Sequence, residues 1–155
     1  MFISYKKAFN IIFLSLITIN LYAKSPYNPT TIALSFLQKI YGPHKTKLQN
    51  KREGLEKINT TLVALEDAII NKQISDKQAT LALIERKKNK IQKIVADLSD
   101  ITTAVDHCPT IIKNERLQKK LANSGERYLG ADSPALIKSR AQALLISIEY
   151  LENRI

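Results

Sequence analysis

The chain has no tryptophan, one cysteine, one methionine and only four glycines in 155 residues. A single cysteine excludes an intramolecular disulfide, so stability has to come from packed apolar side chains. Two histidines, His44 and His107, and one cysteine do not make a four-ligand zinc pattern. The sparse glycines form no phosphate-cradling loop, and no serine elbow occurs. Aromatic residues make up 6% of the chain and none stands beside the densest basic run, which removes the stacking platform that nucleic-acid bases need. Sustained period-two alternation and Asn-Gly or Asp-Gly turns are missing too, so β-hairpins are not expected. No cofactor, metal site or catalytic group is expected from these patterns, and the chain does not read as an enzyme.

What the chain does have begins at its first residues. Lys6 and Lys7 precede an apolar stretch of Ala8, Phe9 and residues 11–17, with Ile19 and Leu21 beyond, closing at Leu21-Tyr22-Ala23. A cationic start, a short apolar middle and a small closing residue are the physical signature of an export signal. Cleavage is expected after Ala23, leaving Lys24 to Ile155 as one helical domain in the periplasm or outside the cell. The alternative is an uncleaved inner-membrane anchor facing the periplasm. The stretch is short for a span of about 20 apolar residues, and Ser15, Thr18 and Asn20 interrupt it. No later segment is apolar enough to cross a bilayer.

The remaining chain is punctuated by glycine and proline into helices. Asn28 with Pro29 marks a first start, with Ala33, Phe36, Leu37, Ile40 and Tyr41 on one face and Gly42-Pro43 as its end. A second helix is expected from about Lys45 to Lys72. Leu48, Leu55, Leu62 and Ile69 recur in it every seven residues, with Ile58 and Leu65 three further on and a bend allowed at Gly54. Ser75-Asp76-Lys77-Gln78 has capping-box spacing and opens a third helix running to about Val105. Ile84, Ile91, Leu98 and Val105 repeat there with the same period. A short turn between them makes the second and third helices antiparallel neighbours. Asp106 to Pro109 breaks the pattern. A shorter helix is expected over Thr110 to Asn123, then an irregular stretch over Ser124 to Gly130. A last helix, capped by Asp132 or Ser133 with Pro134 in its first turn, carries Ile137, Ala141, Leu144, Ile148, Leu151 and Ile155 on one stripe. The expected fold is all-α: a long antiparallel, coiled-coil-like hairpin with two to three shorter packed helices.

Charge is the other feature present in quantity. Lysine and arginine number 24 against 14 acids, a net charge of +10. Arg86, Lys87, Lys88, Lys90 and Lys93 form the densest cluster, and Lys45, Lys47, Lys51 and Arg52 a second. With two antiparallel helices the clusters merge at one end of the hairpin. Such a patch suits a partner protein, an anionic polymer or lipid headgroups. Its helical interleaving with apolar residues and the exported location argue against nucleic acid. His107 and Cys108 are adjacent, which suits neither a metal site nor a catalytic pair needing spatial opposition. His107 fits the end of a helix, where its charge complements the dipole. Cys108 fits either a small buried apolar position or an intermolecular disulfide.

Ile74-Ser75-Asp76-Lys77-Gln78 resembles the hydrophobic–Ser/Thr–x–x–Gln element of small periplasmic stress chaperones of the Spy and CpxP family. The resemblance covers these five residues, which occur once, and implies a holdase surface; one methionine and two histidines do not carry that family's metal binding. An all-helical active site like that of secreted chorismate mutases would need buried Arg and Glu lining the bundle, a pattern not evident here. The function expected from the whole chain is a non-enzymatic interaction protein of the bacterial envelope. It would be an accessory or structural component of a secretion, conjugation or pilus system, contacting other envelope proteins or itself through helical seams. The alternative is a periplasmic holdase-type chaperone.

Overall fold

The computed structural model describes residues 34–155, and all the regular structure among them is helical. The export signal, its cleavage site and the Asn28-Pro29 helix start lie outside the described residues. Four α-helices follow in order: α1 (Leu34–Ile70), α2 (Lys77–His107), α3 (Glu115–Leu129) and α4 (Pro134–Glu152). Short 3-10 turns, Cys108–Ile111 and Gly130–Asp132, precede and follow α3. At 1.5 Å per residue α1 spans about 55 Å and α2 about 46 Å.

The seven-residue stripes are the core. Leu48, Leu55, Ile58 and Leu62 of α1 are buried with Ile84, Ile91, Ile94 and Leu98 of α2. Ile137, Ala141, Leu144, Ile148 and Leu151 of α4 close over them, and α4 packs against both long helices. Ile69 and Val105, the outermost members of their stripes, are only partly buried against the core.

Three local expectations are overturned. The first is the break at Gly42-Pro43: α1 runs straight through it, with Pro43 inside the helix. Proline removes one backbone hydrogen bond and crowds the carbonyl four residues earlier, a penalty of about 3 kcal/mol. Tertiary contacts on both sides of Pro43 offset it. Tyr41, 2% exposed, is buried against α3, and the Lys45 ammonium donates to the Tyr128 carbonyl at 2.9 Å while sitting 4.5 Å from the centre of the Tyr128 ring. Pro43 is thus held between two anchors on the same neighbouring helix.

The second concerns the start of α2. Asp76, not Ser75, is the cap: its carboxylate accepts from the Ala79 N–H at 2.9 Å. An ionised cap is the stronger acceptor and also complements the positive end of the helix. The preceding turn is a Schellman motif, with Gln73 N–H donating to the Ala68 carbonyl and Lys72 N–H to that of Ile69. Lys72 takes the left-handed position at φ 53°.

The third is the shorter helix, which starts later and runs further than expected. Asn114 caps it, accepting from the Leu117 N–H at 3.2 Å, and it continues through Ser124 and Gly125 to Leu129. Gly125 is a packing residue and not a break. A Cβ there would lie 2.3 Å from Tyr41 Cζ and 2.5 Å from its hydroxyl oxygen. Gly130, at φ 52°, is the residue that ends the helix.

The bare backbone at residue 125 generates a paired prediction. Gly125→Ala drives a methyl into the Tyr41 ring and lowers stability by about 1–3 kcal/mol. Gly42→Ala meets nothing beyond its chain neighbours nearer than 3.8 Å and shifts stability far less, the entropy gained with alanine being set against crowding by the Pro43 ring. Urea unfolding followed by helical circular dichroism reads both, and equal shifts would remove the packing role given to Gly125.

Candidate functional site

Each long helix turns one flank toward the short helices and the other away from them. On α1 the inward flank carries Lys45, Arg52 and Glu56. The Arg52 guanidinium donates through Nε to Asp132 at 2.6 Å and through a terminal nitrogen to Glu56 at 2.7 Å. Arg140 of α4 approaches the same Glu56 oxygen at 3.6 Å. Asp132 is 7% exposed, the one buried charged residue among those described. Its hydrogen bond holds the Arg52 guanidinium charged beyond its ordinary range, against desolvation and with help from Glu56. Asp132 therefore serves as an ion-pair partner; Ser133 takes the cap position of α4, without a side-chain hydrogen bond. On α2 the inward flank carries Lys88, whose ammonium lies 3.3 Å from both carboxylate oxygens of Glu152 in α4.

Three of the nine cluster residues, Lys45, Arg52 and Lys88, thus fasten α3, the Gly130–Asp132 turn and α4 to the long helices. The opposite flanks form an open groove of about 820 Å³. Lys47, Asn50, Lys51, Glu53 and Lys57 line it from α1, and Lys90, Asp97 and Asp100 from α2, over Gly54, Ile94 and Ile101. Lys51 donates to Asp97 across it and keeps that carboxyl below its usual range, with a smaller effect from Lys93. A Cβ on Gly54 would stand 3.4 Å from Ile94 Cδ1, an ordinary van der Waals contact, so α1 and α2 face each other at this level. The structure therefore brings Lys47 and Lys51 of one cluster to Lys90 of the other and adds Lys57. Arg86 and Lys93 are exposed on α2, and Lys87 is half-buried. The groove is mixed in charge, with acids set among its lysines.

A second cavity, of about 390 Å³, lies where the end of α2 meets α3 and the start of α4. Tyr41 reaches it from α1, beside Asp106, Asn123, Glu126 and Ser133. The Tyr41 hydroxyl donates to the Leu121 carbonyl at 3.5 Å, and burial pushes its phenol up to about 12, with smaller contributions from Cys108 and Asp106. Cys108 is half-buried against the core, its thiol donating to the Ala104 carbonyl at 3.3 Å, and burial raises its pKa above the ordinary value. That shift favours the unreactive thiol over the thiolate that disulfide exchange requires. His107 ends α2 with Nδ1 2.6 Å from the Thr103 carbonyl oxygen. Among the described residues no three His, Cys, Asp or Glu side chains converge as metal ligands. No described helix is long and apolar enough to cross a membrane.

No protein-family model, curated protein or solved structure matches this chain. Its function has to be argued from the geometry.

The four-membered Arg52–Asp132–Glu56–Arg140 network escaped sequence reasoning because the contacts that join its two halves, Arg52 to Asp132 and Glu56 to Arg140, span 80 and 84 residues. The usable signal was Asp132 beside Pro134, which reads equally well as a cap.

Replacing Asp132 with alanine leaves Arg52 partly buried with Glu56 alone. The expected loss is about 2–3 kcal/mol, below the range for a wholly enclosed pair because Arg52 keeps some solvent contact. Asp97→Asn, at a pair whose carboxylate keeps far more solvent contact than Asp132, should change stability far less. Chemical denaturation separates the two, and equal losses would deny the inward flank its special weight. For Tyr41 the folded value lies above the ordinary value of about 10. The fold's preference for the neutral phenol is fully present below pH 10 and lost as pH rises through about 12. Ultraviolet titration should show one phenol ionising near 12 that is missing in Tyr41→Phe; a variant with the same late transition would contradict the assignment.

Proposed function

We propose that this chain is an exported, non-enzymatic helical interaction protein, an accessory or structural component of a bacterial envelope assembly such as a secretion, conjugation or pilus system. Its working part is the long antiparallel hairpin of α1 and α2, coiled-coil-like along the Leu48–Leu55–Leu62 and Ile84–Ile91–Leu98 seam. Pairing of residue 51 with 97 and of 54 with 94 supports that orientation, since one number falls as the other rises. The observation that carries the reading is the open groove on the hairpin's outward flank. It is long, shallow and lined by charges of both signs over a narrow apolar floor. Surfaces of this kind recognise an extended or helical protein segment by complementary charge, with affinity limited by solvent screening. The cationic, apolar N-terminal stretch supports delivery beyond the inner membrane.

The nine basic cluster residues divide between two tasks in this reading. Lys45, Arg52 and Lys88 hold the bundle together. Lys47, Lys51, Lys90, Lys93, Arg86 and Lys87 lie in or beside the partner surface. Anionic lipid headgroups or polymers would engage the same cations, with binding that falls steeply as salt is raised. Cys108 contributes by packing in preference to bridging.

A holdase-type chaperone is the second reading. It is favoured by apolar side chains left exposed on several elements, including Leu34, Ile70, Ile111 and Ile146. One pair of measurements separates the two. Capture from an envelope extract should retain a defined partner, and Lys47→Ala combined with Lys57→Ala should lose it while the helical spectrum is unchanged. Suppression of client aggregation at stoichiometric ratios, insensitive to those substitutions, would move the assignment to the chaperone. Neither partner nor suppression would sink both.

A further inference from the structure

Besides its apolar seam, α2 carries a second stripe with the same seven-residue period. Arg86, Lys90, Lys93, Asp97, Asp100, Ala104 and His107 follow one another at alternating steps of four and three residues. That spacing places them along one side of the helix. Arg86, Lys90, Lys93, Asp100 and His107 are exposed, and Asp97 and Ala104 are half-buried. Lys90, Asp97 and Asp100 line the open groove. The charges are not interspersed. Three cations occupy the half nearer the start of α2, and two acids follow. Among the described residues only Asp97 of this stripe is ion-paired, with Lys51, and Lys93 stands one turn before it. Lys90 and Asp100 are left too far apart along the helix, at about 15 Å, to satisfy each other.

A strip that is positive in one half and negative in the other is complementary to itself when reversed. From this we infer that the α2 stripe is the contact surface for a second copy of this chain, docked about a two-fold axis. Rotation about an axis crossing α2 near residue 95 sets Lys93 against Asp97 of the second copy and Lys90 against its Asp100. Every contact is then made twice, as an isologous interface requires. Ile94 and Ile101 lie between the charged rows as the apolar floor. The contact is rich in charge and poor in apolar area, so the dimer is salt-sensitive and reversible. The inference rests on the reading of the chain as an interaction protein and names one occupant of its outward flank.

Sedimentation velocity of the full chain tests it. At low ionic strength, where the screening length is about 30 Å, the chain should sediment at twice the mass of one copy. In 1 M salt, with a screening length of about 3 Å, it should sediment as one copy. Lys90→Glu sets two pairs of like charges together in the dimer, and so does Asp100→Lys. Each should raise the dissociation constant by about tenfold or more. An equimolar mixture of the two variants restores both attractive pairs and should recover the doubled mass. Both residues are exposed, so the helical spectrum serves as the folding control. A dimer indifferent to either variant, or a mixture that stays monomeric, overturns the stripe as its interface. A wild-type chain that is monomeric at low salt yet retains an envelope partner gives the stripe to another protein and leaves the interaction reading standing. An intact dimer that captures nothing does the reverse.

Discussion

The Tyr41 ring occupies the space that a side chain on residue 125 would fill. That contact, with Lys45 reaching the Tyr128 carbonyl, holds α1 in one piece across Gly42-Pro43. Much of the architecture depends on it. If α1 ended at residue 42, its first turns would be free to leave the bundle, and α3 would lose the surface that buries Leu121 and Leu129. The cavity that Tyr41, Asp106 and Glu126 share would open as well. One residue without a side chain and one large ring thereby connect α1 to α3. Their close fit replaces the hydrogen bond that proline removes.

A second constraint sorts the charges. A helix in a bundle has a buried stripe and two flanks, and only one flank of each long helix meets α3 and α4. Cations on that flank lose solvent and need partners. Arg52 finds Asp132 and Glu56, and Lys88 finds Glu152. Cations on the other flank share the groove with acids, and of these Lys51 pairs with Asp97 of the facing helix. Neighbours in sequence such as Lys51 and Arg52 therefore do different work, because a step of one residue turns the side chain by about 100°. A basic run on a helix is a set of stripes, and its charge is not available to a single ligand.

Much of the helical content was legible in the chain. Heptad spacing marked Leu48, Leu55, Leu62, Ile84, Ile91, Leu98, Ile137, Leu144 and Leu151, and all nine are buried. Pattern succeeded there because helical periodicity is a local property. It failed where one local signal has two physical meanings. Gly125 read as a break, since an isolated glycine costs a helix entropy, but distant Tyr41 requires that glycine. Gly42-Pro43 read as a stop, but packing on both sides outweighs the lost hydrogen bond. Asp132 and Ser133 read equally as the cap of the last helix; Ser133 takes that position, and Asp132 is the buried half of an ion pair. Of the candidate site, the clusters were visible and their division was not. That Lys47, Lys51 and Lys90 line one groove depends on the register between α1 and α2, which neither helix encodes by itself.

Local pattern suffices to make the described chain helical, to mark many of its core-facing residues and to give the protein more cations than acids. Each of these depends on residue type and on spacings of three, four or seven positions. The tertiary structure alone decided that the first two expected helices are one, that Gly125 must stay small and which basic side chains pair inward. Those outcomes depend on contacts between residues 64 to 84 positions apart, whose energies of about a few kcal/mol override the smaller preferences of individual residues for helix, cap or turn.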